Sequence, residues 1–126
     1  MTSLEKKRRL LKYSNLEKHV DELMAEKDRL SSLEGINGGT IEKIKLINKR
    51  INEEIDELID ELEYISLAIR NVSNINERRV LWLRYVGKIK NGKRERLYLW
   101  EVANEMAYSS DHIKKVHANA IRHLKI

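Results

Sequence analysis

The stretch LWEVANEMAYSSDHIKKVHANAIRHLK, residues 99–125, decides how the chain is read. Leu99, Val102, Ala103 and Met106 fall on one side of a short helix, and Ala107-Tyr108 interrupts it as a turn. Ser109 suits the N-cap of a last helix from Asp111 to about Lys125, with Ile113, Val116, Ala120, Ile121 and Leu124 on an inward stripe. Small Ala103 lets the two helices approach, and Val102, Met106, Ile113 and Val116 fill the angle between them. What remains outward is Ser110, Asp111, His112, Lys114, Lys115 and Asn119, with Ser109 and Arg122 at the two ends. These are groups that bond base edges and phosphates, and a helix N-terminus adds backbone N–H donors for a phosphate. Two short helices joined by a brief turn, the second rich in such side chains, form the helix-turn-helix arrangement.

Working upstream, Asn74 followed by Glu77 is a capping-box signal that opens a helix through Arg79–Val86, closed near Gly87. Next comes a basic stretch with five Lys/Arg between Lys88 and Arg96. Its Asn91-Gly92 is a tight-turn dipeptide, so the stretch is a loop or a small hairpin. Lys93 and Arg94 make it a candidate basic wing along a nucleic-acid backbone; a solvated loop is the other reading. Trp82 is expected to pack on the N-terminal half and orient the two halves. Trp100 is expected to cover the core edge or touch a sugar-phosphate backbone. His112, His117 and His123 are spaced by five and six residues, which does not put them on one helical face, and no metal site follows. Protonation of His112 would make affinity for a polyanion pH-dependent.

The first half has a different grammar. Ile41, Ile44, Ile51, Ile55, Leu58, Leu62, Ile65, Ile69 and Val72 keep a 3-4-3-4 spacing in which Asn48 holds the one polar place. That is a heptad seam. A weaker seam runs through Leu16, Val20, Leu23 and Leu30, interrupted by Lys27 and continued toward the N-terminus by Tyr13, Arg9 and Leu4. Between them, Glu34–Gly39 holds three glycines and an Asn that stop a helix and reverse the chain, and Thr40 suits the next N-cap. Thr2 and Glu5 resemble a capping box for the first helix.

Helices over about 3–33 and 41–71 would each be roughly 45 Å long and lie antiparallel with matched ends. Folding the chain about Asn37 sets Leu30 against Ile44, Leu23 against Ile51, Val20 against Ile55, Leu16 against Leu58, and Lys27 against Asn48. The two polar interruptions then coincide, which selects this register. Ile47, Ile59 and Leu67 remain as an exposed apolar flank, so the hairpin is expected to pack on a second copy or on the C-terminal module. The fold class is therefore all-α: an N-terminal antiparallel coiled-coil hairpin over 1–73, followed by a helix-turn-helix module over 74–126.

Charge follows the same division. Residues 1–74 hold 13 Lys+Arg against 15 Asp+Glu, net −2, while residues 75–126 hold 12 against 5, net +7. A near-neutral association module joined to a basic one points to nucleic acid as the partner of the second. Of the whole chain 36% is charged, above the roughly 25% of ordinary domains. Cys, Pro and Phe are absent. Without Cys there is no disulfide framework, thiolate nucleophile or Cys-type zinc site, and a cytoplasmic setting is expected. The longest apolar run, Val80–Leu83, is far short of a membrane span, so no membrane partner is expected.

At Arg79–Tyr85 and Leu99–Lys125 the chain resembles region 4 of the sigma-70 family, the part that reads a promoter element. The resemblance rests on Val102-Ala103, Met106, Ser109, Ile113, Val116, Ala118-x-Ala120-Ile121 and Leu124, and spans about 75–126. Ala107 stands where that family usually has a turn Gly. With a charged hairpin in front and no other sigma region, the whole chain is similar to small sigma-like phage regulators of the RinA/ArpU type. The resemblance implies a sequence-specific, non-enzymatic transcription regulator that meets double-stranded DNA through Ser110, Asp111, His112, Lys114 and Lys115, with RNA polymerase as a further candidate partner. The hairpin would serve a homodimer.

Nothing in the sequence supports catalysis: there is no paired carboxylate motif, nucleophile–base set or phosphate-cradling Gly loop after a strand. No cofactor is expected, since the hairpin has no Glu-x-x-His pairs and His19 lies beside Asp21 and Glu22 on a solvated face. A small-terminase-like packaging component, which would form a ring of many subunits, and a purely helical interaction module are the alternative readings.

Overall fold

The computed structural model describes residues 1–33 and 38–126, and side chains outside 34–40. The chain reversal expected at Glu34–Asn37 thus lies outside the described residues. The protein is mostly helical, with one two-stranded sheet. Helix α1 spans Ser3–Leu11, α2 Tyr13–Ser31 and α3 Gly38–Arg70. At the start of α1 the Glu5 N–H donates to Thr2 Oγ1 at 3.1 Å, and the same hydroxyl donates to Glu5 Oε1 at 3.0 Å. The single helix expected over 3–33 is interrupted at Lys12. Helix α3 begins two residues before Thr40, which therefore lies inside the helix and not at its N-cap.

The chain divides into two compact units, Asn15–Leu62 and Met1–Ser14 with Glu63–Ile126. In the first unit Val20, Leu30, Ile44, Ile51 and Ile55 are buried in one cluster, with Leu23, Leu33, Leu58 and Leu62 packed against it. Burial there follows the 3-4 spacing, because only residues on that stripe of each helix can turn inward together. Ile47 and Ile59 stay on the exposed flank. Asn48, the polar place in the α3 seam, holds its Oδ1 buried without a hydrogen-bond partner among the described residues.

In the second unit, Leu10 of α1 and Ile65 and Ile69 at the end of α3 are fully buried. Helix α4, Ile75–Leu81, is capped by Asn74, whose Oδ1 accepts the Glu77 N–H at 3.0 Å. It runs into a single π-helical turn, Trp82–Val86, closed by the Gly87 N–H donating to Trp82 O at 2.7 Å. Strands β1, Lys88–Lys90, and β2, Lys93–Glu95, then pair antiparallel with Lys90 opposite Lys93. Asn91 and Gly92 have φ of 50° and 78°. Two successive positive-φ residues make the tight hairpin turn that their identities predict. Gly87 has φ 107°, and a Cβ there would lie 2.3 Å from Glu95 O, so only glycine lets the β2 end approach.

Helices α5, Leu99–Met106, and α6, Ser110–His123, complete the chain. Val80, Leu83, Leu97, Val102, Ala103 and Ile113 form their common core, with Leu99, Met106 and Val116 packed against it. The small side chain of Ala103 is buried at this junction, as its size suggests. Between the helices Ala107 takes the left-handed conformation, φ 57° and ψ 41°. The Tyr108 N–H donates to Ala103 O at 3.0 Å, closing α5 with a Schellman-type bond.

Two substitutions test this account. Left-handed backbone costs a non-glycine residue about 1–2 kcal/mol, more than the roughly 0.5–1 kcal/mol of extra chain entropy glycine brings. Ala107→Gly should therefore stabilise the protein by about 0.5–1 kcal/mol in chemical denaturation, and a loss of stability would contradict the turn geometry. Asn48→Leu removes a buried unpaired acceptor and should raise stability by about 1 kcal/mol while loosening register or oligomeric state. A lower melting temperature with unchanged mass in solution would count against the seam.

Candidate functional site

Helix α6 has two faces. Ile113, His117, Ala120, Ile121 and the following Leu124 are buried, while Ser110, Asp111, His112, Lys114, Lys115 and Arg122 are exposed and Asn119 is half-buried. Asp111, Lys115, Ala118 and Arg122 are spaced so that they share one side of the helix. The structure thus brings the predicted residues 109–122 together on one element, in front of a core that fixes their backbone. Ser109 is its N-cap, its Oγ accepting the His112 N–H at 3.2 Å. The His112 ring meets Tyr108 edge-on at 4.7 Å between centroids. Arg122 donates to Asn119 Oδ1.

Lys93 and Arg94 lie on β2, both exposed. Of the hairpin cations, Lys88 and Lys90 point back toward α5: Lys88 Nζ donates to Glu105 Oε1 at 2.6 Å, and Lys90 Nζ lies 3.8 Å from Glu101 Oε2. Glu105 also lies 4.0 Å from Arg79. Its hydrogen bond from Lys88 and the surrounding cations hold its carboxyl below the usual range. Glu101 Oε1 accepts the Tyr98 N–H at 3.0 Å at the start of α5. Side chains one turn apart on α5 therefore dock the hairpin, and the basic stretch is an ordered two-stranded element. Trp100 and Tyr98 beside it are exposed. Trp82 lies with its ring under the Arg70 guanidinium, 4.6 Å from the centroid.

The polar groups behind α6 were not legible by motif. His117 is buried, with Nε2 2.7 Å from the Tyr85 hydroxyl and the two rings stacked at 5.7 Å. Burial, then the charges of Lys7 and Arg84, push its pKa down to about 4. Burial pushes the Tyr85 phenol up to about 12, so Tyr85 donates and neutral His117 accepts. His117 stands four residues after Ile113 and four before Ile121, on the inward stripe, and that spacing was its only signal. Glu77, buried, carries its Oε1 2.5 Å from His123 Nδ1, so its carboxylate joins α4 to the end of α6. From α1, Lys6 Nζ donates to the carbonyls of Ile121 at 3.0 Å and Arg122 at 3.2 Å. A cation at a helix C-terminus satisfies orphan carbonyls and complements the helix dipole.

Elsewhere, His19 Nε2 lies 3.3 Å from Glu54 Oε1 on a half-exposed face. Among the described residues no helix is long and apolar enough to cross a membrane. Compared with known proteins, the chain matches no family model, and no curated protein or solved structure matches it either.

The His117 environment has a pH signature. Between its ordinary pKa of 6.5 and about 4 the unfolded chain takes up a proton there that the folded chain refuses. Stability from this group is complete above pH 6.5 and falls on acidification, with the loss levelling off below about pH 4. In urea titrations across this range His117→Gln should show a shallower acid loss than the native chain. Identical pH profiles would contradict a buried neutral imidazole.

Proposed function

We propose that the protein is a non-enzymatic, sequence-specific DNA-binding transcription regulator of the sigma-like phage type. It lays α6 in a major groove of double-stranded DNA, as the second helix of a helix-turn-helix. The observation that carries this reading is the two-faced α6. Its apolar side is buried against α4 and α5, and its opposite side presents Ser110, Asp111, Lys114, Lys115, Asn119 and Arg122. A helix that is held rigidly and still exposes cationic and hydrogen-bonding side chains is what groove readout requires. Ala107 supports the comparison with sigma region 4, since it adopts the backbone conformation for which that family's glycine is suited.

Within this reading the residues divide by task. Lys114 and Lys115 contact phosphates and hold the register, and Arg122 extends that line along the helix. Ser110, Asp111, His112 and Asn119 face base edges, while Ser109 caps the helix through the His112 N–H and leaves the N–H groups of Ser110 and Asp111 for a phosphate. Lys93 and Arg94 on the hairpin act as a basic wing on the adjoining backbone, at a placement set by Lys88, Lys90, Glu101 and Glu105. The heptad helices α2 and α3 serve association, with a second copy of the chain as partner and RNA polymerase as a further one. Transcription regulation inside the cytoplasm is the corresponding biological setting.

The test is DNA binding by the full chain to its own genomic DNA and to random DNA at several salt concentrations. Lys114→Ala and Lys115→Ala should each weaken binding on both DNAs and reduce the slope of log affinity against log salt by about one. Unchanged affinity in the double variant, with helix content preserved, would remove α6 as the reading helix.

A further inference from the structure

A groove of about 290 Å³ on the second unit is lined by Arg70, Ile75, Arg78, Arg79, Trp82 and Leu83. It sits apart from the α6 face described above. Its chemistry is unusual in two respects. Part of its apolar lining is left open, with Ile75 72% exposed and the half-buried Trp82 ring lying under the Arg70 guanidinium. And Arg78 holds its Nε buried with no hydrogen-bond partner among the described residues. A buried guanidinium N–H without an acceptor is costly, and a carboxylate is the group that satisfies it best. Among the described residues three arginines and no acidic residue line the groove. Its occupant must therefore bring carboxylates together with an apolar side chain.

The chain carries such a segment. From Ile51 to Ile69 on α3 there is no Lys or Arg, and Glu53, Glu54, Asp56, Glu57, Asp60, Glu61 and Glu63 supply seven carboxyl groups. Asp56 and Asp60 are one helical turn apart and exposed, next to Ile59, which is itself on the exposed flank. Spacing of that kind presents two carboxylates beside an isobutyl-sized group, which matches two arginines beside an open apolar floor. We infer that the groove between Arg70 and Leu83 is a self-association site that takes the acidic Glu53–Glu63 segment of α3 from a second copy of the chain. Carboxylates of the second copy meet the guanidinium groups of Arg70, Arg78 and Arg79, and its Ile59 covers Ile75 and Trp82. The contact specifies which surfaces meet in the association assigned above to the heptad helices. It does not involve α6, so DNA binding and self-association fail or survive separately.

A charge exchange in the full chain tests the pairing. One variant carries Arg70→Glu and Arg78→Glu; the other carries Asp56→Lys and Asp60→Lys. In low salt the native chain should show, by light scattering on a sizing column, at least twice the single-chain mass of 14.9 kDa. Association should weaken at least tenfold as salt is raised. Each variant alone should fall to the single-chain mass with its helical circular dichroism retained. Their equimolar mixture should recover the associated mass, because every reversed contact is again complementary, and should quench or shift Trp82 emission as the native chain does on association. A mixture that stays at the single-chain mass while both variants are folded overturns the pairing, as does a native chain that remains a monomer in low salt. Where a double variant fails to fold, Arg78→Gln alone replaces it. That change keeps a polar side chain and removes the charge, and native-like association in it would equally overturn the site.

Discussion

The apolar stripe of α6 is the constraint around which the second unit is organised. Helices α4, α5 and α1 each pack against α6, and Ile113, Ala120, Ile121 and Leu124 lie at or near zero exposure between them. Burying side chains of this size removes apolar surface worth on the order of 1.5–3 kcal/mol each for the larger ones. No rotation of α6 about its axis could keep that burial, so the outward face is determined by the inward one. Burial of Ile113, Ala120, Ile121 and Leu124 holds Lys114, Lys115 and Arg122 at the surface. The groove-reading role proposed for α6 would use that property, because groove contacts tolerate little angular freedom.

Charged side chains perform two separate tasks in this unit. Lys6, Lys88, Lys90 and Arg79 lie against carbonyls or carboxylates of the protein itself. Exposed ion pairs of this kind contribute little individually. Their value here is geometric, since Glu101 and Glu105 on α5 set how the β1–β2 hairpin sits on that helix. The cations of α6 have a different setting: Lys114, Lys115 and Arg122 are exposed, and Arg122 donates to Asn119 on the same helix. Net charge alone does not distinguish the two groups. The +7 of residues 75–126 counts Lys88, Lys90 and Arg79 together with the cations of α6, and only the folded arrangement separates those that hold the hairpin from those that face outward.

Several features were legible because they are local. Thr2, Asn74 and Ser109 cap helices as their side chains predict, since a hydroxyl or amide oxygen reaches only the N–H groups of the next turn. Asn91-Gly92 closes a hairpin because those two residues accept positive φ. The heptad spacing of α2 and of α3 as far as Leu62 corresponds to one buried cluster, while Ile65 and Ile69 of the same seam are buried in the second unit. What was misread or missed involves partners far apart in the chain. The break at Lys12 follows no Pro or Gly. Residues 1–14 belong to a compact unit with 63–126, and no pattern in the first helix announces that Lys6 will meet carbonyls of residues 121 and 122. Glu77 reads as a capping-box acid, yet its carboxylate is spent on His123.

By itself, then, the sequence determined most of the elements: which segments are helical, where α1, α4, α5 and α6 start, where the hairpin turns, and which side of each helix is apolar; the start of α3 and the break at Lys12 it did not. Those properties depend on backbone conformation and on a spacing of three or four residues, and both are written into consecutive positions. Only the tertiary structure decided that His117 is a buried neutral acceptor for Tyr85, that α1 closes the end of α6, and that the Nε of half-buried Arg78 has no acceptor among the described residues. Each of these depends on which surfaces exclude water from one another. Desolvation is a property of the packed neighbourhood, and residues more than a hundred positions apart in the chain contribute to it.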